Sequence, residues 1–201
     1  SEETLLSANF FLPKAILTQC KALNLPCVTI GTVMEKMGET SNPYILSKIQ
    51  FGHFVSNFIQ NGGKVSHFQL HTLFGGGVPK PFMFLGKIYS SLLSNKVFHM
   101  TSGNQIREYH HVDDDVFAMR LFLEQGKCGI IDLSHGQPLK LRHLAENIFS
   151  AFNRTYLLKI GSLDEPQTDN YELFFSASPF LEGKVFRSQP KDVIAHLQSH
   201  L

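Results

Sequence analysis

Short apolar runs alternate with helical repeats along most of this chain, and no other feature restricts its fold as strongly. Cys27-Val28-Thr29-Ile30, Lys64 to Leu70 and Gly129 to Leu133 each have the length and content of a buried strand. Between and around them the apolar spacing turns helical. Residues 4 to 23 carry Leu5, Ala8, Phe11, Leu12, Ala15, Ile16 and Ala22, and Pro26 ends the run. A second helix is expected from about Tyr44 to Gln60, closed by Asn61-Gly62-Gly63. Others are expected near Phe82 to Ser94, from Val112-Asp113-Asp114-Asp115 onward, over Leu139 to Phe152, and over Lys191 to Leu201. The acids of Asp113 to Asp115 would sit in a first turn, where the helix dipole favours them. Gly31 through Pro43 reads as a loop, and Gly75-Gly76-Gly77 as a flexible turn where a subdomain change is plausible. The alternation of strand and helix argues for an α/β fold with parallel pairing.

Composition narrows the function classes. A chain of 201 residues can hold one core or two small subdomains, and 43% apolar content with 18 Phe can fill them. The formal net charge is +1, which makes no electrostatic case for nucleic acid or for a polybasic membrane contact. No apolar run approaches the roughly 20 residues that span a bilayer, and Ser-Glu-Glu at the start is not a basic leader. Cys20, Cys27 and Cys128 are odd in number and lack CxxC spacing, so a reducing, cytoplasmic setting is expected. The ten histidines form no metal signature, and His110-His111, being adjacent, would point to opposite faces of a strand. No metal is expected.

Tyr44-Ile45-Leu46-Ser47-Lys48 places a phenol and an ammonium at i and i+4, on one face of a helix. A nearby ammonium favours the phenolate, and such a tyrosine can exchange a proton with a substrate hydroxyl. Alone, the spacing more often describes a helix with one partly buried Tyr and one solvated Lys. Upstream, the apolar strand leads into Gly31-Thr32, which puts a hydroxyl just past a strand end and before the tyrosine helix. Thr32 is the first choice for a third catalytic group and Thr29 the second; an ordinary loop cap is the competing role for Thr32. This Thr-Tyr-Lys set resembles that of short-chain dehydrogenases.

A second segment is more specific. Gly103-Asn104-Gln105-Ile106-Arg107-Glu108-Tyr109-His110-His111-Val112-Asp113-Asp114 is similar to the G-x-x-x-R-[DE]-[FY]-x-x-V-x-D stretch of extended members of that family, the NAD-dependent epimerases and dehydratases of nucleotide-activated sugars. There the arginine contacts the diphosphate, and a planar guanidinium fork suits phosphate oxygens. A salt bridge to a neighbouring acid is the plainer role for Arg107. Gln69-Leu70-His71-Thr72-Leu73-Phe74-Gly75 stands where the family has R-x-x-N-x-Y-G and keeps only the aromatic-Gly end. Gly129-Ile130-Ile131-Asp132-Leu133 resembles a later family strand.

The resemblance, over about residues 5 to 152, implies a partial Rossmann-like parallel sheet with a small mixed α/β substrate-binding subdomain. Residues 1–75 would be the carboxyl-terminal part of the dinucleotide-binding domain. Residues 76–201 would mostly bind the sugar nucleotide, with some segments returning to the sheet. It implies Thr32, Tyr44 and Lys48 as catalytic residues, and Thr29, Tyr44 and Lys48 as contacts to NAD or NADP. Thr32, Phe82, Arg107 and Tyr109 would touch the substrate, although Pro79 to Leu85 also reads as a buried helix start. The opening G-x-x-G-x-x-G of the family, which brings backbone against the pyrophosphate, does not occur in these 201 residues. The chain is therefore expected to be a piece of a longer protein or a truncated product. The expected function is reduction or epimerisation of a nucleotide-activated sugar through a keto intermediate. The alternative is a non-catalytic remnant that binds a sugar nucleotide or a protein. Val33 and Met34 follow Thr32 where 4,6-dehydratases carry Asp-Glu, and neither can act as acid or base, which disfavours that reaction. The family also implies a two-fold dimer through the helices at Leu5–Leu23 and Tyr44–Gln60, whose Phe10, Phe11, Ile16, Leu17, Phe51, Phe54, Val55 and Phe58 exceed one apolar face.

Overall fold

The computed structural model describes residues 2–38, 40–166, 169–171 and 176–201. In chain order, α1 (Glu2–Leu6) and α2 (Leu12–Ala22) flank a π-helical turn at Ser7–Phe11. β1 (Cys27–Thr32), a 3-10 turn (Val33–Lys36), α3 (Pro43–Gln60), β2 (Val65–Leu70), β3 (Thr72–Phe74) and α4 (Phe84–Ser94) follow. Then come β4 (Phe98–His99), β5 (Ile106–Arg107), β6 (Tyr109–His111), α5 (Val112–Leu123) and β7 (Gly129–Asp132). β8 (Leu139–Lys140), α6 (Leu141–Ala151), β9 (Leu158–Lys159) and α7 (Lys191–Gln198) complete the order. These elements form two compact units, Ser1–His71 with Phe117–Leu133, and Thr72–Val116 with Ser134–Leu201. None of the described helices is long and apolar enough to cross a membrane.

The first unit is a parallel sheet in the order β1-β2-β7, the partial Rossmann-like arrangement expected of the sequence. Five of the six β2 residues are buried, as a central parallel strand covered on both faces requires. One face carries Val65 among Leu17, Phe51, Val55 and Phe58. Phe68, one residue on from His67, points to the other face and meets Phe122 of α5 edge-on at 5.7 Å. Each such side chain contributes about 1.5–3 kcal/mol by leaving water.

Two expectations change here. The stretch expected to be a loop from Gly31 begins as strand and continues as a 3-10 turn. The cause is local: the Thr32 side chain accepts from the Met34 N–H, and the Glu35 carboxylate accepts from the Thr32 N–H, a reciprocal cap. The apolar excess expected on two separate helices is mostly used within the unit. Phe10 packs edge-on against Phe54 at 6.4 Å, and Phe51, Val55 and Phe58 are buried. Among the apolar residues that stay exposed are Phe11 at 57%, Leu12 at 59%, Ile16 at 52% and Leu23 at 68%.

The second unit is built from short pairs, β3-β6 and β4-β9 parallel and β5-β8 antiparallel. Its core gathers Ile88 and Leu92 of α4, Leu144, Ile148 and Phe149 of α6, and Val193 and Leu197 of α7. Asn95 closes α4 in the left-handed region with φ 52, a conformation asparagine tolerates better than most residues.

Candidate active site

Tyr44 lies in the first turn of α3, and the residues before it set its place. Asn42 caps the helix, its Oδ1 accepting from the N–H of Tyr44 at 3.0 Å and of Ile45 at 3.4 Å, while Pro43 supplies a helix-ready φ at the first position. One turn on, the Lys48 Nζ lies 5.9 Å from the centroid of the Tyr44 ring, so phenol and ammonium share a face. Tyr44 is 45% exposed. Buried Ser47 between them donates to the Tyr44 carbonyl at 2.7 Å and accepts from Asn9 Nδ2 at 3.0 Å. Asn9 is in the π-helical turn, and it lines a small cavity together with Thr29, Lys48 and Phe51. Asn9 and Ser47 carry no signal in the sequence beyond being polar residues in apolar helices.

Thr32 ends β1 as the N-cap described above. Its Oγ1 accepts from Met34, which leaves its own proton to donate elsewhere. Below it runs a buried polar chain. Thr29 Oγ1 lies 2.7 Å from His67 Nδ1, and His67 Nε2 lies 3.0 Å from Glu35 Oε2, which also accepts from Gln69 Nε2 at 3.1 Å. Thr29 pairs with His67, and Gly31 with Gln69, so these side chains share one face of the sheet. The glycines make room: a Cβ on Gly31 would overlap Glu35 and His67, and one on Gly52 would come to 2.8 Å from Glu35 Oε2. With Glu35 ionised, His67 Nε2–H donates to it and Nδ1 accepts from Thr29. The Thr32-x-x-Glu35 spacing of a capping box was readable in the sequence; the register that delivers His67 was not.

The second unit holds a cavity of about 350 Å³ lined by Gly75 to Lys80, Met83 to Leu85, Arg107, Tyr109 and His196. Gly75, Gly76 and Gly77 have φ of 94, 75 and 108, a run that side chains rarely allow, and the His196 Nε2 lies 3.1 Å from the Gly77 carbonyl. Tyr109 is buried, and burial pushes its phenol above the ordinary range, with Arg107 working against that. Arg107 Nη1 donates to the Ile106 carbonyl at 2.9 Å and Nη2 to Asp169 at 2.5 Å. Phe82 is 74% exposed and is not among the lining residues.

Next to Tyr109 a charge cluster is buried. His110 Nδ1 donates to Asp115 Oδ1 at 2.8 Å, and His110 Nε2 lies 3.5 Å from Glu108. Burial opposes the imidazolium, but the bonds to Asp115 and Glu108 outweigh it and raise His110 to about 9. Glu108 also accepts from Ser134 Oγ at 2.8 Å and from the Gln137 N–H at 2.7 Å, pinning that loop. His135 stacks on His110 with centroids 3.7 Å apart and planes within 6°. Rings stacked in this way hold their in-plane lone pairs in parallel layers, so they do not converge on one ion as metal ligands must.

Two comparisons bear on these elements. The model of the NAD dependent epimerase/dehydratase family matches residues 26–132, more than half of the chain. The chain belongs to that family. Its matched span contains β1, the Tyr44–Lys48 face and Arg107. No curated protein sequence matches the chain. Among solved structures, DesIV, a dTDP-glucose 4,6-dehydratase from Streptomyces venezuelae with NAD bound, superposes with a TM-score of 0.79 at 15% identity, over 98% of this chain and 67% of its own. A dTDP-glucose 4,6-dehydratase from Bacillus anthracis in complex with NAD gives 0.78 at 14%, over 96% and 67%. UDP-N-acetylglucosamine 4-epimerase from Methanobrevibacter ruminantium gives 0.68 at 18%, over 89% and 63%. At such identities the likeness is one of fold. The family member described here thus spans about two thirds of the length of these structures.

Proposed function

We propose that this chain supplies the acid–base and substrate-binding part of an NAD-dependent enzyme that reduces or epimerises a nucleotide-activated sugar through a keto intermediate. The observation that carries the reading is the Tyr44–Lys48 face of α3, fixed by the Asn42 cap and lying inside the family-matched span. Tyr44 gives or takes the proton at the reacting sugar oxygen. Thr32, whose hydroxyl proton is uncommitted to the cap, donates to the same oxygen. Lys48 keeps its ammonium on the same helix face as the phenol, 5.9 Å from the ring centroid. The polar groups beside Lys48, namely its ammonium, the Asn9 carboxamide and the Thr29 hydroxyl oxygen, which can accept while its proton goes to His67, suit the hydroxyls of a nicotinamide ribose. When bound, the cofactor supplies or accepts the hydride. Val33 is buried and apolar and Met34 has no ionisable group, so the two positions that follow Thr32 supply no acid–base pair for elimination of water. The 350 Å³ cavity with Arg107 takes the nucleoside diphosphate end of the substrate, Tyr109 forming part of its wall. Calorimetry with UDP tests this. Arg107→Ala should weaken binding by about 2 kcal/mol, a common loss for a charged contact. Equal affinity in wild type and variant would remove Arg107 from the site.

The proposed assembly is a two-fold dimer through the helices of the first unit, in a reducing cytoplasmic setting that suits its free cysteines. The residues that would meet a partner are the exposed Phe11, Leu12 and Ile16. Replacing Leu12 and Ile16 with Glu should give a monomer by light scattering. A dimer of unchanged affinity would place the contact elsewhere.

A further inference from the structure

Arg107 is held from a direction that its sequence neighbours do not predict. The segment at 169–170 is bonded to β5 on both sides of Ile106. The Ile106 N–H donates to the Asn170 carbonyl at 2.7 Å, and Asn170 Nδ2 donates back to the Ile106 carbonyl at 3.2 Å. Asn170 is 4% exposed, so this is an anchored contact. It brings Asp169 to the guanidinium, where Oδ1 accepts both from Arg107 Nη2 and from the Asn170 N–H at 2.6 Å. The ion pair is largely covered, with side-chain exposures of 22% and 17%. Arg107 lines the cavity and Asp169 does not.

Two effects of opposite sign follow from a carboxylate there. Its charge screens the arginine from an incoming anion, which would weaken binding. Its bond removes the rotamer freedom that a long side chain otherwise loses when it captures a ligand, which would strengthen binding. The geometry decides between them. Asp169 takes one Nη2 donor without itself lining the cavity, and the Ile106 carbonyl takes one from Nη1. A guanidinium has five N–H donors, so three remain for phosphate oxygens. We propose that Asp169 is a positioning residue for Arg107, carried by the Asn170 anchor, which presents the guanidinium to the cavity ready for a diphosphate. This rests on the reading of Arg107 given above and assigns that site a further determinant, 62 residues away in sequence.

The test is a double-mutant cycle on the 201-residue chain, titrating UDP by calorimetry. Asp169→Ala is expected to weaken UDP about tenfold with a thermal melt close to wild type, and Asp169→Asn, whose amide oxygen still accepts from Nη2, is expected to lose less. In an Arg107→Ala background the same changes should add nothing, a coupling that a purely structural role would not produce. Unchanged or tighter UDP binding in Asp169→Ala would overturn the proposal in favour of simple screening. An equal loss with and without Arg107 would overturn it in favour of a folding role. If Arg107→Ala binds UDP as wild type does, or the wild-type chain binds none, the reading of Arg107 fails and the positioning role falls with it.

Discussion

Tyr44→Phe is expected to lower turnover of a nucleotide-activated sugar by at least about 10²-fold, and up to 10⁴-fold, the usual range for losing a general acid or base. The ring keeps its place, because the Asn42 cap binds the backbone N–H of Tyr44 and Ser47 binds its carbonyl; neither touches the phenol oxygen. Affinity for the sugar nucleotide should therefore change little, and the effect should fall on kcat. Assayed with NAD and with the glycine-motif half of the fold present, turnover near wild type would remove Tyr44 from the chemistry. A loss confined to KM would make it a binding residue.

Asp115→Ala is expected to cost about 3–5 kcal/mol of unfolding free energy, the range seen when one partner of a buried ion pair is removed. Asp115 is 1% exposed and holds His110, which is fully buried. Asp115→Asn should cost less, since its amide oxygen still accepts. The same cluster sets a pH dependence. His110 is raised to about 9 in the folded chain, against about 6.5 for a free histidine. Below pH 6.5 the protonated ring is present in both states, and the full benefit of its two carboxylate partners is kept. Between 6.5 and 9 the unfolded chain gives up its proton while the folded chain still holds one, so stability falls by roughly 3 kcal/mol across that window. Urea unfolding at a series of pH values measures it. A flat profile over that range, or an Asp115→Ala cost under about 1 kcal/mol, would mean that the cluster is held together by packing alone.

The chemistry-bearing residues that the sequence exposed were those joined by local spacing. Tyr44 and Lys48 are one helical turn apart, and the cap at Asn42-Pro43 is also local, so the face they form needs no tertiary information. The strands at Cys27, Val65 and Gly129 were legible because each is a short run with apolar and β-branched residues, too short for a helix and set between helical repeats. The same local logic failed at Gly31 to Lys36, where the strand runs on and the reciprocal Thr32–Glu35 cap outweighed the loop-like composition.

What only the tertiary structure decided were pairings across the chain. His67 reaches Thr29 and Glu35 because β1 and β2 pair in one parallel register, and a shift by one residue would turn it to the other face. Asn9 reaches Ser47 because a π turn lies opposite α3. Asp169 reaches Arg107 because Asn170 anchors on β5. Local periodicity determined which segments are helix and strand, since backbone hydrogen bonding and side-chain alternation repeat over a few residues. The partners of the buried charges depended on which strands became neighbours, and that is set by packing over the whole unit.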